Sequence, residues 1–234
     1  MEIALAQINP IVGDIEGNTK KIISLIKKIK TDIIAFPELS ITGYSPQDLL
    51  LRRNFIDKNM DSLGKITQNT KNKTAIVGFV ERAYANLYNS AAIIKDQQII
   101  EIHHKICLPN YTIFDEKRWF NEGKDATIFE FDGRKIGVSI CEDIWFSEAT
   151  LKQKEKGAEL IINISASPYS KGKMKTIENI LKQRWQENKI PIIYVNQVGA
   201  QDGIVYYGHS VFVDKGKILI NCKDFEEDIL IVEV

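Results

Sequence analysis

Apolar residues fall along this chain in two alternating patterns, short continuous runs and helically spaced stripes. MEIALAQI (1–8) combines β-branched and aliphatic residues, stops at Asn9-Pro10 and predicts a strand. From Asn18 to Lys30, Ile22, Ile23, Leu25, Ile26 and Ile29 recur at helical spacing with lysines on the other face, which predicts a helix. TDIIAF (31–36) is a short apolar run stopped by Pro37, the pattern of a buried strand. Residues 53–70 predict a second helix and TAIVGFVE (74–81) a further strand. Two hairpins follow: SAAIIKDQQIIEIHHKICL (90–108), with a polar centre at Asp96-Gln97-Gln98, and TIFEFDGRKIGVSIC (127–141), turning at Asp132-Gly133. Beyond Cys141 the pattern gives a helix at about 147–156, a strand AELIINISA (158–166), a helix at about 172–189 and a strand IPIIYVNQ (190–197). Short strands close the chain in 204–234, with turns at Lys215-Gly216 and Asp224.

Strands alternating with helices place the chain in the α/β class. No repeat, low-complexity tract or Pro/Gly/Ser linker divides it, so residues 1–234 are expected to form one domain. The stretch LPNYTIFDEKRWFNEG (108–123) reads as a long loop dense in aromatic and charged residues, and loops of that length are often functional.

Composition narrows the function without naming it. A hydrophobic fraction of 44% suffices for a core and excludes disorder. The 31 basic residues balance 31 acidic ones, so neither nucleic acid nor an anionic membrane is expected as a partner, and the lysine-rich stretches 20–30 and 152–156 read as solvated faces. No apolar run approaches the ~18–20 residues of a membrane span, and the first residues lack the pattern of a secretory leader. Cys107, Cys141 and Cys222 are odd in number and form no CxxC, which argues against a disulfide framework or a thiolate zinc site and for a reducing cytoplasm. His103 and His104 are neighbours on a strand, where successive side chains take opposite faces, so they do not suit one metal ion.

Candidate chemistry sits where strands give way to loops. Glu38 follows Phe36-Pro37, Lys105 ends IIEIHHK, and Cys141 ends GVSIC and leads into Glu142-Asp143. A cysteine nucleophile needs a base or cation beside it, because a free thiol, with a reference pKa of ~8.5, is mostly protonated at neutral pH. A carboxylate could take that proton and return it to a departing amine, while an ammonium and a backbone N–H could hold a tetrahedral oxyanion. Taken one at a time, Cys141 would serve equally as a buried inert thiol and Glu38 or Lys105 as a solvated charge. Spacing alone does not bring the three together.

The motifs do. FPELSITGY (36–44), KICLPNYTIFDEKRWF (105–120), GVSICEDIW (137–145) and ISASPYSKGK (164–173) resemble the signature stretches of the nitrilase, or carbon–nitrogen hydrolase, superfamily. PELSITGYSPQDLL (37–50) is similar to the corresponding run of the glutamine-hydrolysing domain of glutamine-dependent NAD synthetases. The resemblance implies a four-layer α-β-β-α sandwich, often paired across subunits as a homo-oligomer. It implies Glu38 as general base, Lys105 as the oxyanion-stabilising cation, Cys141 as nucleophile and Glu116 as a second glutamate that holds the lysine. It also implies that Tyr44, Tyr111, Glu142, Trp145, Ser167 and Lys173 line a glutamine pocket; read alone, the aromatic ones could equally be core residues.

The implied activity is hydrolysis of the glutamine side-chain amide through a thioester on Cys141, with ammonia passed to a separate synthetase for NAD synthesis. Two departures from the family pattern stand out. GAQDGIVYYGHS (199–210) replaces a run resembling GGQDELVFDGGS, putting Tyr207 for an aspartate and His209 for a glycine. No SGGxDS, Walker-type or dinucleotide loop occurs, so this chain is expected to bind no ATP, NAD precursor, metal or other cofactor with its own residues. The alternatives are an amidase for another small amide or N-carbamoyl compound and a catalytically silent partner of a synthetase.

Overall fold

A computed structural model describes residues 1–234. Its first sheet sets β1 (Glu2–Gln7), β2 (Ile33–Ala35) and β3 (Thr74–Ala83) parallel to one another. Strands β4 (Asn86–Lys95) and β5 (Gln98–His104) extend it antiparallel beyond β3, and β14 (Asp228–Glu233) closes the other side against β1. The second sheet repeats the plan. β7 (Arg134–Ile140), β8 (Leu160–Ser165) and β9 (Ile192–Asn196) are parallel, with β6 (Thr127–Phe131) antiparallel on one side and β12 (Val211–Asp214) and β13 (Lys217–Asn221) on the other. A separate hairpin pairs β10 (Val198–Gln201) with β11 (Ile204–Tyr207).

The two sheets pack face to face, and the period of two along each strand explains how. In β8, Leu160, Ile162 and Ile164 join Ile3, Leu5, Ile33, Ile76 and Ile93 of the opposite sheet, while Ile161 turns outward to Ile177 and Leu181 of α4 (Lys173–Asn188). On the other outer face, Ala4, Ala6, Ile34, Ala75 and Val77 pack under Ile22 and Ile26 of α1 (Ile15–Lys28) and Leu63 and Ile66 of α2 (Arg53–Gln68). Strands covered on both faces have no polar side to present, hence the unbroken apolar run of β2 and the nearly continuous one of β8, where the buried Asn163 is bonded to Ser139 and Ser165. With α3 (Ser147–Glu155) beside α4 the layers run α-β-β-α, as the motifs implied. No helix is long and apolar enough to cross a membrane.

Two details differ from the pattern reading. Strand β4 starts at Asn86, so the expected strand and hairpin are one three-strand meander whose first turn, at Tyr84-Ala85, lies in a stretch of mixed polarity without Gly or Pro to mark it. Helix α1 begins at Ile15, because the Asp14 carboxylate accepts from the Gly17 N–H at 3.0 Å and caps a turn that carries no apolar stripe.

The C-terminal ends of β2, β5, β7 and β8 deliver Glu38, Lys105, Cys141 and Ala166-Ser167 respectively, from both sheets. Close backbone passage makes this convergence feasible. A Cβ on Gly78 of β3 would stand 2.4 Å from the Leu39 nitrogen and 2.5 Å from the Pro37 carbonyl oxygen. The Gly78 carbonyl in turn accepts from the Ile41 N–H at 3.2 Å and the Ser40 hydroxyl at 3.2 Å. Gly123 plays the matching part beside Lys105: a Cβ there would lie 2.2 Å from the His104 carbonyl oxygen, and its N–H donates to the Lys105 carbonyl at 2.8 Å. Both neighbours are backbone and cannot swing away.

Gly78→Ala is therefore expected to destabilise the fold by about 2 kcal/mol or more in urea denaturation and to lower activity by displacing the Glu38 segment. Wild-type stability in that variant would show that the passage is not tight.

Candidate active site

Lys105 and Glu38 are fully desolvated together with Glu116. The Lys105 Nζ donates to Glu38 Oε1 at 2.7 Å and to Glu116 Oε1 at 2.8 Å, and all three side chains are at most 3% exposed. Glu38 Oε1 also accepts from Asn89 Nδ2 at 2.7 Å, and Oε2 from the Ala166 N–H at 2.9 Å. The Tyr44 hydroxyl donates to Glu116 Oε1 at 2.5 Å, and the Tyr206 hydroxyl donates to the Tyr44 carbonyl at 3.1 Å. Lys105 itself is held by its N–H on the Asn89 carbonyl at 2.9 Å. One ammonium is thus gripped by two carboxylates, each oriented by neutral donors from other elements.

Charge follows from this burial. Desolvation works against the Lys105 ammonium, but Glu116 and Glu38 outweigh it and hold the amine protonated well above the ordinary lysine range. Burial raises Glu116 to about 7 against the pull of Lys105, with Glu38 adding repulsion; its Oε2 is buried with no hydrogen-bond partner. Burial also pushes the Tyr44 phenol up, reinforced by Glu116 and Glu38, so it remains a donor.

Cys141 opens a short 3-10 turn, Cys141–Trp145, directly after β7, and its backbone sits at φ 44°, a left-handed conformation that costs a non-glycine residue about 1–3 kcal/mol. Its thiol is buried. Burial, and then the charge of Glu38, push the thiol well above its ordinary value against the opposing influence of Lys105, so the resting sulfur carries its proton. An arrangement of a protonated thiol, a nearby carboxylate and a permanent ammonium is suited to acyl transfer, with proton removal during attack.

Of the remaining expected residues, Tyr111 and Lys173 line an outer cavity, while Glu142 and Ser167 are buried. The Tyr111 hydroxyl lies 2.9 and 3.0 Å from the two oxygens of Glu142. The Lys173 ammonium stands 3.8 Å from the centre of the Trp145 ring, an attractive cation–π placement. Burial lowers the Lys173 pKa, opposed by Cys141 and Glu142, while burial raises that of Glu142, opposed by its bond to Tyr111 and by Lys105 and Lys173. A carboxylate and an ammonium thus flank the approach to Cys141. The Ser167 backbone is pinned by Asn196, whose Oδ1 accepts its N–H at 2.8 Å. Outside lies a cavity of about 510 Å³ lined by Tyr111, Phe114, Tyr169, Lys173, Ile204 and Val205. A narrower cavity of about 180 Å³ reaches Tyr44 and Glu116 between Trp119 and Tyr206. The divergent 199–210 stretch supplies the β10–β11 hairpin at this rim, with Tyr206 and Tyr207 buried.

Sequence reasoning missed Asn89, the Ala166 N–H and the carboxylate of Asp143. Asn89 sits among other polar residues of β4, Asn86, Tyr88 and Ser90, so nothing in the sequence singles it out; a backbone donor leaves no signal either. The adjacent histidines do face opposite ways: His103 is buried on Asp143, and His104 bonds Glu81 and stacks on Tyr88 at 4.1 Å. No group of three or more His, Cys, Asp or Glu side chains converges as metal ligands would. Cys107 is half-buried with its thiol pushed to about 12 by burial and Asp143, and Cys222 is buried away from the cluster.

The sequence profile described as carbon-nitrogen hydrolase matches residues 2–234. The glutamine-dependent NAD(+) synthetases of Aquifex aeolicus and Thermotoga maritima are 42% and 40% identical to it, over 99% and 100% of this chain and 42% of each relative. The solved glutamine-dependent NAD+ synthetase of Acinetobacter baumannii, in complex with adenosine diphosphate, superposes with a TM-score of 0.94 at 38% identity, over 98% of this chain and 44% of that one. An amidase from Nesterenkonia sp. shares the fold, with a TM-score of 0.89 at 22% identity over 100% of this chain and 90% of its own. The chain spans less than half the length of the synthetases it matches.

The raised Glu116 pKa has a measurable consequence. Its folded value of about 7 exceeds the ordinary 4.5, so the folded state holds a proton that the unfolded state releases. Stability contributed by that proton is present below the unfolded value and is lost as pH rises between the two. Urea denaturation across pH 4–8 is expected to show wild type losing stability relative to Glu116→Gln as pH rises through this window; a difference independent of pH would refute the shift.

Proposed function

The chain belongs to the carbon–nitrogen hydrolase family, and on that premise we propose that it hydrolyses the side-chain amide of glutamine to glutamate and ammonia with Cys141 as nucleophile. The observation that carries the choice of substrate is the pair of opposite charges at the mouth. Glutamine brings an ammonium and a carboxylate on its α-carbon; Glu142 with Tyr111 suits the first, and Lys173 suits the second. A simple aliphatic amide has nothing to offer either group. Identity of about 40% to glutamine-dependent synthetases supports the same substrate.

In the proposed reaction Glu38 takes the Cys141 proton as sulfur attacks the amide carbon, and the oxyanion of the tetrahedral intermediate is stabilised by Lys105. Collapse breaks the carbon–nitrogen bond. Glu38 returns the proton to the departing nitrogen, giving ammonia and a γ-glutamyl thioester on Cys141. Glu38 then removes a proton from water, whose oxygen attacks the thioester carbon; the second intermediate expels the Cys141 sulfur, which regains the proton, and glutamate leaves. Glu116 keeps Lys105 in place throughout, and because burial raises its pKa the cluster need not bury a second full negative charge beside the one ammonium.

The ammonia would pass to a synthetase acting in NAD synthesis. The support is the identity of the relatives, which carry more than half of their length beyond the region matched by this chain. A thiol nucleophile suits a reducing compartment, and we place the reaction in the cytoplasm.

Cys141→Ala is expected to lower glutamine hydrolysis by at least ~10⁴-fold with the fold intact by circular dichroism, and acid-quenched wild type to carry a γ-glutamyl adduct by mass spectrometry. Unaltered turnover in that variant would sink the nucleophile assignment. Lys173→Met is expected to raise KM for glutamine roughly 10–100-fold while leaving butyramide hydrolysis unchanged. Equal losses on both would argue for another amide, and binding to a synthetase with no Cys141-dependent hydrolysis would argue for a silent partner.

A further inference from the structure

Asp143 lies two residues after the proposed nucleophile and is fully buried, yet its carboxylate bonds to no side chain of the Glu38–Lys105–Glu116 cluster. Its carboxylate accepts four hydrogen bonds. Oδ1 takes the N–H groups of Ile106 and Cys107 at 3.0 and 2.8 Å. Oδ2 takes the N–H of Ile140 at 2.9 Å and His103 Nε2 at 3.0 Å. The donors fall into two sets. Ile140 ends β7 in the second sheet and immediately precedes Cys141; Ile106 and Cys107 immediately follow Lys105, and His103 lies on β5, in the first sheet.

We infer that Asp143 is a positioning residue that fixes the sulfur-bearing turn relative to the ammonium of Lys105, by binding the backbone beside each. This role rests on the proposed function and deepens it. Sulfur and ammonium are delivered by different sheets, and face-to-face apolar packing sets the distance between sheets without fixing their relative slide, since apolar contact is non-directional. Hydrogen bonds are directional, and a single carboxylate that binds both strand ends transmits the register of one to the other. The strained conformation of Cys141 adds a need for such a clamp, because a left-handed residue relaxes unless its neighbours hold it.

Both oxygens must accept, which makes the role specific to a carboxylate. In Asp143→Asn one oxygen is replaced by an NH2 group facing the N–H of Ile140 and the Nε2–H of His103, so donors meet donors. His103 also requires a particular side chain. It is buried, donates from Nε2 to Asp143, and has Nδ1 3.2 Å from the Thr127 hydroxyl, which fixes its ring. Glutamine at 103 could still donate to Asp143, whereas leucine could not.

The test compares wild type, D143N, H103L and H103Q in the full chain, with glutamine and with butyramide as substrates. Displacing reacting groups by about 1 Å costs on the order of 10²-fold, so D143N is expected to lose about that factor in kcat with KM little changed. H103L should lose roughly tenfold in kcat and H103Q should recover most of it. Wild-type kcat in D143N would overturn the role. So would a kcat loss matched by an equal rise in KM, or H103Q as poor as H103L, since packing alone does not distinguish a donor from a non-donor. If D143N does not fold, the contrast between H103L and H103Q still decides. Wild type that turns over butyramide and not glutamine would remove the glutamine assignment, and the Asp143 comparison would then be read on butyramide.

Discussion

An ammonium buried away from water depends on its counter-charges, and the organisation around Lys105 follows from that dependence. Removing such a charge from water costs several kcal/mol even after relaxation, and a single partner rarely offsets it. Two carboxylates contact the Lys105 Nζ; Asn89 and the Ala166 N–H complete Glu38, and the Tyr44 hydroxyl adds a second donor to Glu116 Oε1, leaving only Glu116 Oε2 without a partner. Those donors come from β4, from the end of β8 and from the loop after β2, so satisfying one cation ties together three parts of the fold. The arrangement leaves Glu116 near its titration midpoint at neutral pH and the Cys141 thiol protonated. The raised Glu116 pKa reduces the excess of negative charge around the one ammonium, which lowers the cost of keeping the site dry.

The sandwich is what makes this possible. Each sheet carries three parallel strands whose C-terminal ends lie on one edge, and stacking two such sheets brings two such edges together. Glu38 and Lys105 come from one sheet, Cys141 and the Ala166 donor from the other. A loop of 108–123 then brings Glu116 and Tyr111 over the top, with only one short turn of 3-10 helix, Glu116–Arg118, of its own. The apolar core holds the sheets together, and the missing side chains of Gly78 and Gly123 let backbone segments cross at the distances the polar contacts require.

Much of this was legible from residues in order. The alternation of runs and stripes gave the element types, because strands buried on both faces are apolar along most of their length and helices on the outside are striped. Glu38, Lys105 and Cys141 were marked by position at strand ends and by their motifs, and the structure brings Glu38, Lys105 and Glu116 into contact beside Cys141. The turn at Tyr84-Ala85 was not visible, since a long antiparallel ladder from β3 to β4 stabilises it from outside the turn itself. The Ala166 N–H had no signal because every residue but proline has one. Asp143 was visible as a residue next to Cys141 and silent as to its partners, which lie about 36 to 40 positions away in sequence apart from Ile140.

By itself, then, the sequence determined the class of fold, the order of its elements and the chemical types available at the strand ends, because those depend on local periodicity and side-chain chemistry. Tertiary structure decided which charges share one dry space, which donors satisfy them and therefore which protons stay on. Ionisation in a buried site depends on distance and exclusion of water, and both arise only when segments remote in the chain are packed together.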